Sequence, residues 1–307
     1  MEPVADVVFE KYRWVATCPT RVLTVSGTDN GCFDLEGHVI EPAALPAAAR
    51  RSCLDGARTL NFLTDTWKLT HLRLFNPLIF SCVFGDDAVF NCFGLLARSL
   101  LTVGQYHGDI AVMTDPEGVA RLEALKRSLP MSGAFEIVVL ADCHDEMDYC
   151  LARFRFHDHP FFADRQPLVY LDADILCNAP IEPLLAEMVF SDGISVSPEG
   201  ILNEGNPNSD GHWYGWRMMA AAGMEFDPHQ RGFSAGAIGY SHSDVALEYA
   251  RLVMEVAQGY RRESGPTRPF VGFGQFLPHH AFPKAAVRQF RPIRAGRHPP
   301  SLPAGPP

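Results

Sequence analysis

Several common signatures are missing from this 307-residue sequence. It holds eight cysteines but no Cys-x-x-Cys pair, which argues against a zinc knuckle or a thioredoxin-type redox site. No run of about 18 apolar residues is present to cross a bilayer. The amino terminus lacks the basic and apolar regions of a signal peptide. Neither a Gly-x-Gly-x-x-Gly nor a Walker A sequence occurs to cradle a phosphate. We therefore expect a cytoplasmic protein with no membrane span, no zinc knuckle or thioredoxin-type site, and no glycine-rich phosphate-binding loop of these two types.

Positive charge is also scarce. The chain carries 26 Lys and Arg against 36 Asp and Glu, a formal net charge of −10, so we expect no nucleic-acid partner. The exception is the segment from Ala281 to Pro307, which is rich in proline and has no acidic residue. Its basic residues are Lys284, Arg288, Arg291, Arg294 and Arg297. Such a segment is typical of a solvated terminus, or of a peripheral contact with the anionic inner face of a membrane.

Hydrophobic residues make up 47% of the chain and charged residues 20%, which is ample for a packed core. From Leu78 onward, apolar runs of strand length alternate with segments whose apolar residues recur every three or four positions. The strand-like runs are Leu78–Phe84, Asp109–Met113, Glu136–Leu140 and Leu168–Leu171. This alternation predicts an α/β fold with a mostly parallel sheet flanked by helices.

The first 75 residues are less regular. Arg21–Ser26 and Cys32–Leu35 flank an Asn-Gly pair, which predicts a β-hairpin. Glu41–Leu54 is rich in alanine and predicts a short helix. We expect residues 1–75 to be an amino-terminal appendage, 76–282 the main domain and 283–307 a basic, proline-rich tail.

The most informative segment follows the fourth predicted strand, where Asp172, Ala173 and Asp174 continue the apolar run. In open α/β sheets, ligands bind beyond the carboxyl ends of the strands. Two carboxylates one residue apart at such an end can share Mn²⁺ or Mg²⁺ and leave positions for substrate phosphates. The alternative is a turn in which Asp174 or Asn178 satisfies free backbone donors.

The stretch PLVYLDADILCNAPIEPLL, residues 167–185, resembles the metal-binding region of nucleotide-sugar-dependent glycosyltransferases of the GT-A fold, especially glycosyltransferase family 8. The resemblance covers about residues 78–282. It implies a half-Rossmann, mostly parallel sheet and transfer of a sugar from a nucleoside diphosphate sugar, with UDP as the expected carrier. It also implies retention at the anomeric carbon and a glycan, lipid or protein hydroxyl as acceptor.

Other stretches resemble the family in the same order along the chain. The family's first-strand loop holds the nucleobase and ribose, and Asp86, Asp87 and Phe90 correspond to it, with Val89 as the alternative to Phe90 against the base. The resemblance further implies donor-binding roles for Arg153, Ala173, Ser234 and Gly236, a metal-binding role for Asp172 and Asp174, and catalytic roles for Gln275 and Arg153.

The sequence departs from the family at three places. Ser234 replaces the usual Asn, and Gly274 and Phe276 replace the two acids that flank Gln275. The family's carboxyl-terminal metal-ligand segment has only a weak counterpart around His298, so we expect His298 as the third metal ligand, with His279 or His280 as alternatives.

A loop from Leu202 to Trp216 carries three aromatic residues and a histidine, and predicts an acceptor platform or a lid. Two other functions stay open. A nucleotidyltransferase would share the half-Rossmann core, but it would require a basic, glycine-rich loop after the first strand. A non-catalytic nucleotide-sugar or glycan-binding relative would explain the lost acids beside Gln275.

Overall fold

The computed structural model describes residues 71–163, 165–189, 191, 193–201, 223, 227, 229 and 231–264, together with the strands 13–18, 21–27, 33–35, 38–40, 59–60 and 287–289. Six strands form a first sheet in the order β4-β3-β2-β1-β6-β5, and every pair in it is antiparallel. They are β1 (Arg13–Cys18), β2 (Arg21–Gly27), β3 (Phe33–Leu35), β4 (His38–Ile40), β5 (Thr59–Leu60) and β6 (His71–Phe75).

The second sheet has seven strands in the order β13-β11-β12-β10-β7-β8-β9. They are β7 (Leu78–Cys82), β8 (Asp109–Thr114), β9 (Phe135–Val139), β10 (Leu168–Leu171), β11 (Ile194–Ile201), β12 (Arg231–Tyr240) and β13 (Val287–Gln289). Strand β12 runs antiparallel between β10 and β11, and the other pairs are parallel. The start of β12 therefore lies at the same edge as the carboxyl ends of β7–β10.

Helices cover both faces of this sheet because its strands are apolar on both sides. They are α1 (Asp87–Thr102), α2 (Val119–Ser128), α3 (Glu146–Leu151), α4 (Glu182–Val189) and α5 (Ser243–Ser264), with single 3₁₀ turns at Ala152–Phe154, Phe156–Asp158 and Pro160–Phe162. Alternate residues of β7 belong to opposite cores. Phe80 belongs to the same hydrophobic core as Tyr249 of α5, whereas Ile79 belongs to the core that contains Phe93 of α1.

The observed topology confirms the predicted α/β fold with a mixed, mostly parallel sheet. Strand β10 has the predicted bounds, and β2 and β3 pair as the predicted hairpin, with Ser26 opposite Asp34. The helix expected over 41–54 lies outside the described residues. Within the predicted carboxyl-terminal tail, Val287–Gln289 pairs with β11 and extends the main sheet. No helix within the described ranges is long and apolar enough to cross a membrane.

Candidate active site

A cleft of about 750 Å³ opens at the carboxyl ends of β7 and β10. Asp172 and Asp174, which follow β10, lie on one of its walls with Ala173 between them. Tyr170 and Arg153 line the same cleft. The remaining lining residues are Cys82, Phe84, Ala88, Val89, Cys92, Tyr149 and Cys150. The structure thus gathers the two acids and the arginine in one opening, where the sequence predicted a ligand site.

Three neighbouring groups fix the position of Asp172. Its backbone N–H donates to the carbonyl of Gly236 at 2.7 Å, which ties the residue to the antiparallel strand β12. The Tyr170 hydroxyl donates to Oδ1 of Asp172 through a short hydrogen bond. Burial raises the pKa of Tyr170 well above its ordinary value, so this hydroxyl stays protonated and keeps donating.

Arg153 is the third of these groups, and its guanidinium lies 4.6 Å from the centroid of the Tyr170 ring. Its Nη1 donates to the carbonyl of Ala235 at 3.0 Å and lies 3.3 Å from Oδ1 of Asp172. Burial lowers the pKa of Arg153, but Tyr170, Asp172 and two cysteines more than offset this, and the pKa is raised overall. Arg153 therefore stays charged and holds Asp172 directly.

Gly236 leaves open space beside the other carboxylate oxygen. A Cβ at this position would lie 3.2 Å from Oδ2 of Asp172 and 3.6 Å from Oγ of Ser234. A side chain at position 236 would therefore crowd Oδ2, while Oδ1 is occupied by Tyr170 and Arg153. Ser234 and Gly236 thus lie close to Asp172 but do not line the cleft, and their roles in donor binding stay predictions.

The carboxylates of Asp172 and Asp174 fit a divalent cation that also binds a ligand in the cleft. The described residues include no group of three His, Cys, Asp or Glu side chains placed to hold a metal by themselves. Mg²⁺ and Mn²⁺ are commonly held by one or two carboxylates together with water and substrate phosphates. Asp172 and the exposed Asp174, both of which line the cleft, match that set of ligands. Such a cation would bind together with a diphosphate and would not be held by protein ligands alone.

The structure gives the acidic residues of the loop after β7 local partners, and their predicted role in binding the nucleobase and ribose stays a prediction. Asp86 caps helix α1, since its Oδ1 accepts from the backbone N–H groups of Ala88 at 3.0 Å and Val89 at 3.4 Å. Asp87 is paired with Arg121, whose Nη2 lies 3.2 Å from Oδ1 of Asp87. Neither acid lines the cleft, because the capping turn directs them to the helix end.

Phe90 does not reach the cleft either. It is buried among the core residues under α1, with the Arg121 guanidinium 4.9 Å from its ring centroid. The cap at Asp86 sets the phase of the helix, so position 90 faces the core with Phe93 and Ala97, one turn and two turns further on. Val89, the alternative to Phe90, is the residue that lines the cleft.

Sequence reasoning missed two lining residues that stand close to predicted ones. Tyr170 precedes Asp172 by two residues, and this spacing puts both side chains on the same face of a strand. Tyr149 precedes Arg153 by four residues, the spacing of neighbours on a helix. The two-residue period of a strand would have predicted Tyr170 from Asp172. The four-residue spacing of a helix would have predicted Tyr149 from Arg153.

Other predicted site residues lie outside the described part of the chain. These are Gln275, His298 and the alternatives His279 and His280, together with the aromatic loop from Leu202 to Trp216. Their predicted roles as catalytic residue, third metal ligand and acceptor platform stay predictions.

No protein-family profile and no curated protein match the chain. Among solved structures, it is similar to the galactosyltransferase LgtC in complex with donor and acceptor sugar analogues, at 16% identity and a TM-score of 0.42, over 61% of this chain and 65% of LgtC. It is also similar to mouse xyloside xylosyltransferase 1, at 12% identity and a TM-score of 0.43, over 66% of this chain and 79% of the mouse protein.

A third similar structure is the bifunctional glycosyltransferase WbbM, at 20% identity and a TM-score of 0.41, over 67% of this chain and 39% of WbbM. The chain thus spans less than two thirds of the length of LgtC and of WbbM. Similarity at this level does not assign an activity, so the case for a function rests on the residues of the site.

Proposed function

We propose that the chain is a metal-dependent glycosyltransferase that moves a sugar from a nucleoside diphosphate sugar, with UDP as the expected carrier, to an acceptor hydroxyl. The observation that carries the proposal is the position of Asp172 and Asp174. Both follow a buried parallel strand and line one cleft, and a charged Arg153 lies against the first of them. The resemblance of residues 167–185 to family 8 supports the same activity and favours a retaining outcome.

The chemistry requires charge to be balanced at the leaving group. As the bond between the anomeric carbon and the diphosphate breaks, negative charge grows on the phosphate oxygen and the sugar becomes oxocarbenium-like. A bound Mn²⁺ or Mg²⁺ would supply Lewis-acid stabilisation of that charge. Asp172 and Asp174 would hold the cation, and the fixed positive charge of Arg153 adds to the field at the same end of the cleft.

We infer that this site is preorganised before the donor binds. Tyr170 and Arg153 both contact Oδ1 of Asp172, so the carboxylate has one orientation and Oδ2 is the oxygen that remains for a ligand. Preorganised groups of this kind need no rearrangement when charge develops. We propose a glycan, lipid or protein hydroxyl as the acceptor.

The test is a donor screen with the purified full chain. UDP-, GDP-, CDP- and ADP-sugars are incubated with MnCl₂, and release of the nucleoside diphosphate is measured with and without EDTA. We expect release from one class of donor, and we expect EDTA to abolish it. Release from no donor, together with tight binding of one of them, would identify a binding protein and contradict the proposal.

A further inference from the structure

We propose that Tyr149, packed on Phe84, forms the surface on which the nucleobase of the donor stacks. The proposal rests on the function proposed above and assigns one end of the cleft. Both rings line the same cleft as Asp172 and Asp174. Their centroids are 4.9 Å apart with an interplanar angle of 57°, and 36% of Tyr149 is exposed.

Position 89, which the family resemblance sets against the base, offers an aliphatic side chain to the cleft and no aromatic ring. Family resemblance placed the base against position 89 or 90, but position 89 is a valine and Phe90 is buried in the core. A Cβ at Gly118 would come within 2.9 Å of the Phe90 ring, which shows how closely that ring is enclosed. Among the described lining residues, Phe84 and Tyr149 are the aromatic side chains besides Tyr170.

Tyr170 cannot serve as the base platform. It is 2% exposed, its ring packs against Phe80, and its hydroxyl is committed to Asp172. Tyr149, in contrast, is exposed and lines the cleft, and its ring is tilted against that of Phe84. A π-face open to a cleft binds any base by stacking, and hydrogen bonds elsewhere then distinguish between bases.

Helix α3 holds Tyr149 in place. Asp145 caps the helix by accepting from the backbone N–H of Asp148 at 2.8 Å. Arg261 of α5 lies 2.8 Å from Oδ1 of Asp148 and 3.2 Å from Oδ1 of Asp145. The stacking surface is therefore tied to the long helix behind it and does not have to be ordered when a nucleotide binds.

The positions of Tyr149 and Arg153 along the chain also fit the base and the phosphates of one nucleotide. Tyr149 lies four residues before Arg153, so a single short segment offers a stacking surface and then a cation. Arg153 contacts Asp172, where the diphosphate and its cation would lie. A nucleoside diphosphate could place its base on Tyr149 and its phosphates beside Asp172 and Asp174.

The test compares Tyr149→Leu with Tyr149→Phe. The leucine keeps apolar packing on Phe84, and the phenylalanine keeps the ring. Binding of UDP, GDP, CDP and ADP, and of inorganic pyrophosphate, is measured calorimetrically in MnCl₂. For the nucleotide that binds best, we expect Tyr149→Leu to weaken binding about 5- to 100-fold and Tyr149→Phe to match the wild type. Pyrophosphate, which has no base, should bind equally to all three.

The matched control is Leu184→Ala, because Leu184 is also 36% exposed but does not line the cleft. We expect this variant to bind like the wild type. Unchanged nucleotide binding in Tyr149→Leu would overturn the assignment while leaving the glycosyltransferase proposal in place, as would an equal loss of pyrophosphate binding. A wild-type chain that binds none of the four nucleotides would overturn both.

Discussion

At the scale of single residues, the site depends on how one carboxylate is oriented. Asp172 is half-buried and has two oxygens in different surroundings. Oδ1 accepts from Tyr170 and lies beside Arg153, whereas Oδ2 faces the space left by Gly236. Partners of this kind around a metal ligand commonly affect affinity or activity about 10- to 100-fold. We therefore expect Tyr170 to act as a positioning residue, whose effect is exerted through Asp172, whereas Arg153 both positions Asp172 and adds its own charge.

Tyr170→Phe tests this positioning role. It removes the hydroxyl that donates to Asp172 and keeps the buried ring, so we expect the fold to persist. Affinity for Mn²⁺ in the presence of the nucleoside diphosphate, measured by electron paramagnetic resonance, should fall about 10- to 100-fold. The control is Tyr106→Phe, since that buried hydroxyl donates to backbone carbonyls of Pro77 and Asp109 away from the cleft. Equal Mn²⁺ affinity in both variants would rule out the role.

At the scale of elements, the beginning of helix α1 decides which side chains reach the cleft. Asp86 accepts the first free N–H groups of the helix, and this sets Ala88 and Val89 towards the cleft and Phe90 towards the core. The resemblance to family 8 identified the loop but not this phase. A motif gives the order of residues, whereas the cap and the core packing determine which way each one points.

We expect Asp86 to act as a helix cap and not as a donor contact. Asp86→Ala should lower the free energy of unfolding by about 1 kcal/mol, and Asp86→Asn should lower it little, because asparagine also accepts at this position. Chemical denaturation measures both changes. Nucleotide affinity should be unaltered in Asp86→Asn. A large loss of affinity in that stable variant would instead show that the carboxylate contacts the donor.

The main strands could be predicted because they are continuous apolar runs that must be buried on both faces. Leu168–Leu171 is such a run, and it led directly to the two acids after it. The short strand Val287–Gln289 could not be predicted. It lies in a basic, proline-rich stretch, and its pairing with β11 depends on a neighbour in space, not on its own composition.

At the scale of the whole molecule, the sheet concentrates the site at one edge. Strands β7 and β10 are parallel neighbours and β12 is antiparallel to β10, so two carboxyl ends and one amino-terminal half meet there. The protein is acidic, with a net charge of −10, and its ligand is expected to be a diphosphate. A cation between Asp172, Asp174 and the phosphates would offset this repulsion and explain why acidic residues stand at the centre of the site.

The most direct test of this metal-dependent transfer is the Mn²⁺ dependence of nucleoside diphosphate release in three variants. They are Asp172→Asn, Asp174→Asn and the control Asp142→Asn. The control carboxylate follows β9, the edge strand of the same sheet, pairs with Arg155 and does not line the cleft. We predict that the first two lose about 100-fold or more in rate and that the control keeps the wild-type rate. Wild-type Mn²⁺-dependent rates in Asp172→Asn and Asp174→Asn would contradict the assignment.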